Sequence, residues 1–120
     1  MAHLYIIDAS VFLNAFNPHE DGHEDSGELL AGFQARGVPL VSPTLLLPEV
    51  AGAIRRGRED AALAREFAGA LRSLPHLILV PLDETLAAQA SQIAAEHALR
   101  GSDAVYAAVA LRFGGALVTL

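Results

Sequence analysis

Three carboxylates stand where their surroundings make a carboxylate informative. Asp8 ends an apolar, strand-forming run over residues 3–7. Glu49 has Leu45, Leu46, Gly52 and Ala53 three and four positions away, so on a helix it shares a face with apolar or small residues. Asp103 opens Ala104, Val105, Tyr106, Ala107, Ala108, Val109, Ala110 and Leu111, the most apolar helical segment of the chain. Each acid has an ordinary explanation. Asp8 can be an N-cap or Asx-turn residue ahead of Ser10. Glu49 can pair with an arginine or reach water at a helix edge. Asp103 suits a helix first turn through the macrodipole alone. Brought to one place, however, three carboxylates repel one another and need a counter-cation. The chain has no cysteine, so the donors are oxygens. Such a set favours a hard divalent ion, Mg²⁺ or Mn²⁺, which keeps several waters. With phosphate oxygens completing the shell, the matching chemistry is phosphodiester hydrolysis. The metal lowers the pKa of a bound water and stabilises charge on the phosphate.

The elements that must position these acids can be read from hydrophobic periodicity and breakers. Residues 3–7 predict a strand, 10–16 a short helix stopped near Pro18, and 19–26 a polar loop. A helix over 28–36 is closed by Gly37, and 39–42 form a second strand. Thr44 is placed to cap a helix running to residue 56, with Pro48 tolerated in its first turn and Gly57 as its stop. Residues 59–73 continue as a helix with Leu63, Phe67, Ala70 and Leu74 at helical spacing. A third strand over 76–82 is followed by a helix over 84–99. Ser102 is placed to cap a last helix over 103–113, ahead of a fourth strand over 116–120. Strands alternate with helices and are continuous apolar runs, the pattern of a parallel sheet covered on both faces. In such sheets ligands bind outside the carboxyl ends of the strands, which is where all three acids fall.

Composition narrows the alternatives. A length of 120 residues suits one hydrophobic core, so residues 1–120 are expected to form a single domain. With 52% hydrophobic and 18% charged residues the chain is too apolar to be disordered. No apolar run reaches the ~18 residues of a membrane span, so no membrane association is expected. The start of the chain lacks the basic leader of a secretory signal; the expected location is the cytoplasm. All basic residues are arginine, which removes a lysine nucleophile, a Schiff base and a P-loop lysine.

The segments Ile6-Ile7-Asp8-Ala9-Ser10, Leu47-Pro48-Glu49-Val50 and Gly101-Ser102-Asp103-Ala104-Val105-Tyr106-Ala107-Ala108 resemble the three acidic motifs of PIN domains. Leu117-Val118-Thr119-Leu120 is similar to the strand that follows them. The resemblance is closest to VapC-type toxins and spans essentially the whole chain in the right order. It implies an α/β fold with a parallel sheet of four strands, or five, flanked by helices. It also implies an Mg²⁺- or Mn²⁺-dependent endoribonuclease, the toxin of a toxin–antitoxin pair. Asp8, Glu49 and Asp103 are carried over as catalytic, metal-binding acids, with Ser10 and Thr119 as supporting hydroxyls. An RNA substrate, a small antitoxin and a homodimer are the implied partners. The family pattern has a further acid after the Leu-Val-Thr strand, a position beyond Leu120. Three acids are expected to hold one metal well and a second poorly, with weakened activity.

Arg100, three residues before Asp103, is a candidate contact for phosphate or for an antitoxin carboxylate. Arg55, Arg56 and Arg58 are better explained by the helix C-terminus they decorate. His19 and His23 read as part of a solvated acidic loop rather than a metal site, and Phe12, Tyr106 and Phe113 as core. The net charge of −6 opposes RNA binding. Four acids are confined to that loop (Glu20, Asp21, Glu24, Asp25), so a modest, salt-sensitive affinity remains expected. A receiver domain needs a lysine that is absent. A haloacid-dehalogenase-like phosphatase needs an aspartate where Ser10 stands. The rival from another class is a catalytically silent PIN-type module acting through protein contacts.

Overall fold

The structure, a computed structural model, describes residues 3–120. Four strands, β1 (Tyr5–Ile7), β2 (Leu40–Pro43), β3 (Leu77–Val80) and β4 (Ala116–Val118), form one parallel sheet in the order β3-β2-β1-β4. Six helices connect them: α1 (Ala9–Phe16), α2 (His23–Ala35), α3 (Leu46–Arg58), α4 (Ala61–Arg72), α5 (Glu84–His97) and α6 (Gly101–Phe113). Each crossover carries two helices. Among the described residues no helix is long and apolar enough to cross a membrane.

The alternation of side chains along each strand sorts the core into two layers. Ile7 and Leu40 pack with Val11, Phe12, Phe33, Leu46, Val50 and Ile54 under α1 to α4. Ile6 and Val41 face the other way, onto Leu86, Val105, Tyr106 and Val109 of α5 and α6. The expected parallel sheet with both faces covered is therefore present. On α3 the buried stripe is Leu46, Val50 and Ile54, one turn apart. That stripe turns Glu49, Ala53 and Arg56 together onto the neighbouring face.

Several boundaries differ from the sequence expectation, each for a local reason. The acidic loop ends early, because α2 begins at His23 rather than residue 28. Asn14, buried in α1, donates to Glu20 Oε1 (3.0 Å) and to the Asp21 carbonyl (2.8 Å), and accepts from Ser26 Oγ (2.6 Å). One buried amide thus ties the segment down, and Gly22 takes the left-handed turn (φ 84°) that launches the helix. Thr44 does not cap α3; its hydroxyl accepts from Leu82 N (3.1 Å) and ties the end of β2 to that of β3. α3 runs through Gly57 to Arg58, Glu59 takes the left-handed link, and Asp60 caps α4 through Leu63 N (2.9 Å). α6 starts two residues early, so Ser102 lies inside its first turn and not at its cap. Phe113 is exposed rather than in the core.

Candidate active site

The strand order reverses at β1: the chain first builds β2 and β3 on one side of it, then returns to place β4 on the other. A crevice outside the carboxyl ends follows from that topology. Asp8 stands there, directly after β1, and Thr119 directly after β4. Asp8 caps α1, accepting from Ser10 N (3.2 Å) and from the Ser10 hydroxyl. Its Oδ2 also accepts from Thr119 Oγ1 (3.2 Å), while Leu120 N donates to Ser10 Oγ (3.2 Å). The two ordinary roles weighed for Asp8, cap and Asx-type turn, are thus real. The carboxylate is nonetheless shared across the sheet as well.

Asp8, Ser10, Glu49, Arg100, Ser102 and Asp103 line one open cleft of about 320 Å³, with Leu13, Ala53 and Arg56. All three acids and both Ser10 and Arg100 meet there; Thr119 reaches it through Asp8. Asp103 is in the first turn of α6 and pairs with Arg100 Nε at 3.2 Å, an exposed i,i+3 contact. Glu49 makes no ion pair among the described residues. It accepts a hydrogen bond from the Tyr106 hydroxyl at 2.8 Å instead. Burial raises the Glu49 pKa from its ordinary value, the Tyr106 bond opposes that shift, and the negative charges of Asp8 and Asp103 add to it. Tyr106 is pushed upward too, by burial first and then by its bond to Glu49, so it stays a donor at any ordinary pH.

Tyr106, only 1% exposed, is the residue sequence reasoning undervalued. It is core, as expected, but its hydroxyl serves the site. Arg56, expected only to decorate the end of its helix, lines the cleft as well. Its spacing of seven from Glu49 on a helix was the available signal.

A Glu49→Gln substitution follows from these contacts. Glutamine keeps an acceptor for Tyr106 and removes a charge that burial and two neighbours disfavour. A carboxyl with a raised folded pKa binds its proton more tightly folded than unfolded. Stability therefore falls as pH rises through the window between the unfolded and folded values. Glu49→Gln is expected to melt higher than the parent without added metal, with a gap that widens from acid to neutral pH. Equal melting temperatures across that range would contradict it.

The donor set fits a hard cation. It is all oxygen, open to solvent, and drawn from three carboxylates, one of which, Glu49, feels the charge of the other two. Among the described residues no three Asp, Glu or His side chains stand close enough to make a ready-built metal cage. A hydrated ion such as Mg²⁺, bound through one or two carboxylates plus substrate, does not require one.

The sequence matches the PIN domain family over residues 5–120. The chain belongs to the PIN domain family. Solved structures share this PIN fold at low sequence identity. VapC20 of Mycobacterium tuberculosis, a sarcin–ricin-loop-cleaving toxin, superposes with a TM-score of 0.79 at 18% identity, covering 92% of this chain and 84% of that one. A chain of Rickettsia felis VapBC2, bound to a DNA fragment from their promoter, gives 0.69 at 16% identity, over 97% and 86%. A toxin–antitoxin complex from Klebsiella pneumoniae gives 0.68 at 15% identity, over 96% and 84%. No curated protein matches the sequence significantly. The PIN domain expectation, with its four-stranded parallel sheet flanked by helices, is thereby met.

Proposed function

We propose that this PIN domain is a metal-dependent endoribonuclease, acting as the toxin of a toxin–antitoxin pair. The observation that carries the reading is the meeting of Asp8, Glu49 and Asp103, remote in sequence, in one cleft at the reversal point of the sheet. Likeness of fold to a sarcin–ricin-loop-cleaving toxin, to a VapBC2 chain and to a toxin–antitoxin complex supports it.

Asp8, Glu49 and Asp103 would hold the Mg²⁺ or Mn²⁺, which when bound supplies an activated water and screens the charge on the scissile phosphate. The chain's own residues do the rest. Ser10 and Thr119 hydroxyls fix the Asp8 carboxylate, leaving its other oxygen unclaimed by them. Tyr106 fixes one oxygen of Glu49. Arg100 restrains Asp103 at the rim, where an arriving phosphate competes for the same guanidinium. RNA, a small antitoxin and a second copy of the chain are the partners of this reading, and the cytoplasm its place. The whole chain acts as one domain in it.

The test is cleavage of a mixed RNA panel in Mg²⁺, Mn²⁺ or EDTA. Cleavage is expected with either ion and not with EDTA. Asp103→Asn is expected to lower the rate at least about tenfold. Cleavage unaffected by EDTA would sink the metal-dependent reading. Absence of cleavage by the parent chain would favour the silent module, to which the Arg100–Asp103 pair, already neutralising one acid, is the contributing observation.

A further inference from the structure

The three arginines at the end of α3 do not behave alike. Arg58 lies over the Phe16 ring, its guanidinium carbon 6.0 Å from the centroid. Arg55 is exposed. Arg56 lines the acidic cleft. A Cβ on Gly52, one turn earlier, would stand 3.0 Å from an Arg56 guanidinium nitrogen, so the side chain folds back along α3 toward Glu49. Gly52 is the gap that guanidinium occupies. Despite three carboxylates in the same cleft, Arg56 makes no ion pair and no side-chain hydrogen bond among the described residues. Arg100, the other arginine there, is already committed to Asp103.

We propose that Arg56, seated over Gly52, binds a backbone phosphate of the RNA next to the one held at the acids. This rests on the ribonuclease reading and adds to it the group that orients the strand. A polyanion entering an acidic cleft needs a free cation beside the acids, and Arg56 is the arginine of the cleft without a carboxylate partner. A planar guanidinium also offers a phosphate two parallel donors.

The experiment is binding of a labelled single-stranded RNA in Ca²⁺, followed by fluorescence anisotropy over a salt series. Arg56→Gln is expected to weaken binding about tenfold. The slope of log affinity against log salt should fall by about 0.7, the amount for one phosphate on a single strand. Arg56→Lys should recover part of the affinity. Arg55→Gln, the neighbouring charge, should stay close to the parent. Gly52→Val keeps the charge but takes its seat, and should reproduce most of the affinity loss. Thermal melts of Arg56→Gln should match the parent. Parent-like affinity and slope in Arg56→Gln would overturn the assignment, as would an equal loss in Arg55→Gln. Unchanged RNA binding with lost binding of a glutamate-rich peptide would move Arg56 to a protein contact and also overturn it. If the parent chain itself binds no RNA, the ribonuclease reading fails first, and that failure is visible without any variant.

Discussion

Asp8→Asn is expected to reduce RNA cleavage by about 100- to 1000-fold while leaving the fold intact. The two halves of that expectation have separate causes. Asparagine caps helices as well as aspartate does, so the bond from Ser10 N that starts α1 survives. Its amide oxygen can also still accept from Ser10 or Thr119 hydroxyls. What disappears is the negative charge at the crevice and one of its two acceptor oxygens. Asp8→Ala is the informative companion, because it removes the cap too and should cost about 1 kcal/mol of stability besides. Single-turnover cleavage in Mn²⁺ and thermal melting by circular dichroism separate the two effects. An Asp8→Asn protein that cleaves within a few-fold of the parent would show that Asp8 is only a cap.

The largest effect on stability is expected at Gly115, a position without any chemistry. A Cβ there would run into the Ile6 side chain and come within 2.5 Å of Leu4 Cδ1 and 2.9 Å of the Leu4 carbonyl oxygen. That carbonyl accepts from Ala116 N and opens the β1–β4 ladder. The crowding is partly against backbone, so it cannot be relieved by turning a side chain. Gly115→Ala should therefore cost about 1–3 kcal/mol, lowering the melting temperature by roughly 4–12 °C. Cleavage should fall with it, since a displaced β4 withdraws Thr119 from Asp8. Gly114 makes the contrast: it has φ 66° and open space around it, so alanine there meets only backbone strain. Urea denaturation of both variants decides the matter; a Gly115→Ala protein as stable as Gly114→Ala would contradict the packing argument.

What the sequence made legible was set by the kind of physics involved. The elements carrying the acids were readable, because a buried parallel strand is an apolar run and a helix repeats every 3.6 residues. Asp8 after β1 and Glu49 in the first turn of α3 follow from local pattern alone. Tyr106 was not readable as a site residue, since its bond to Glu49 joins positions 57 apart and leaves no local trace. The start of α2 was misplaced because HEDGHEDS has loop composition. Its helical conformation comes from Asn14, a buried side chain on another helix. The links at Glu59 and Ala98 adopt the left-handed conformation without glycine, so no breaker advertised them. The side of β1 on which β4 would land was equally silent in the periodicity.

That landing also sets a schedule. Asp8 receives its Ser10 partner two residues later, but its Thr119 partner comes 111 positions further along. β1, translated early, waits between two neighbours, one from residues 40–43 and the other from 116–118. Ribosome-bound fragments ending before α6 therefore carry Asp8 and Glu49 but neither Asp103 nor the strand that closes the crevice. The cleft is therefore completed late, when almost all of these residues exist.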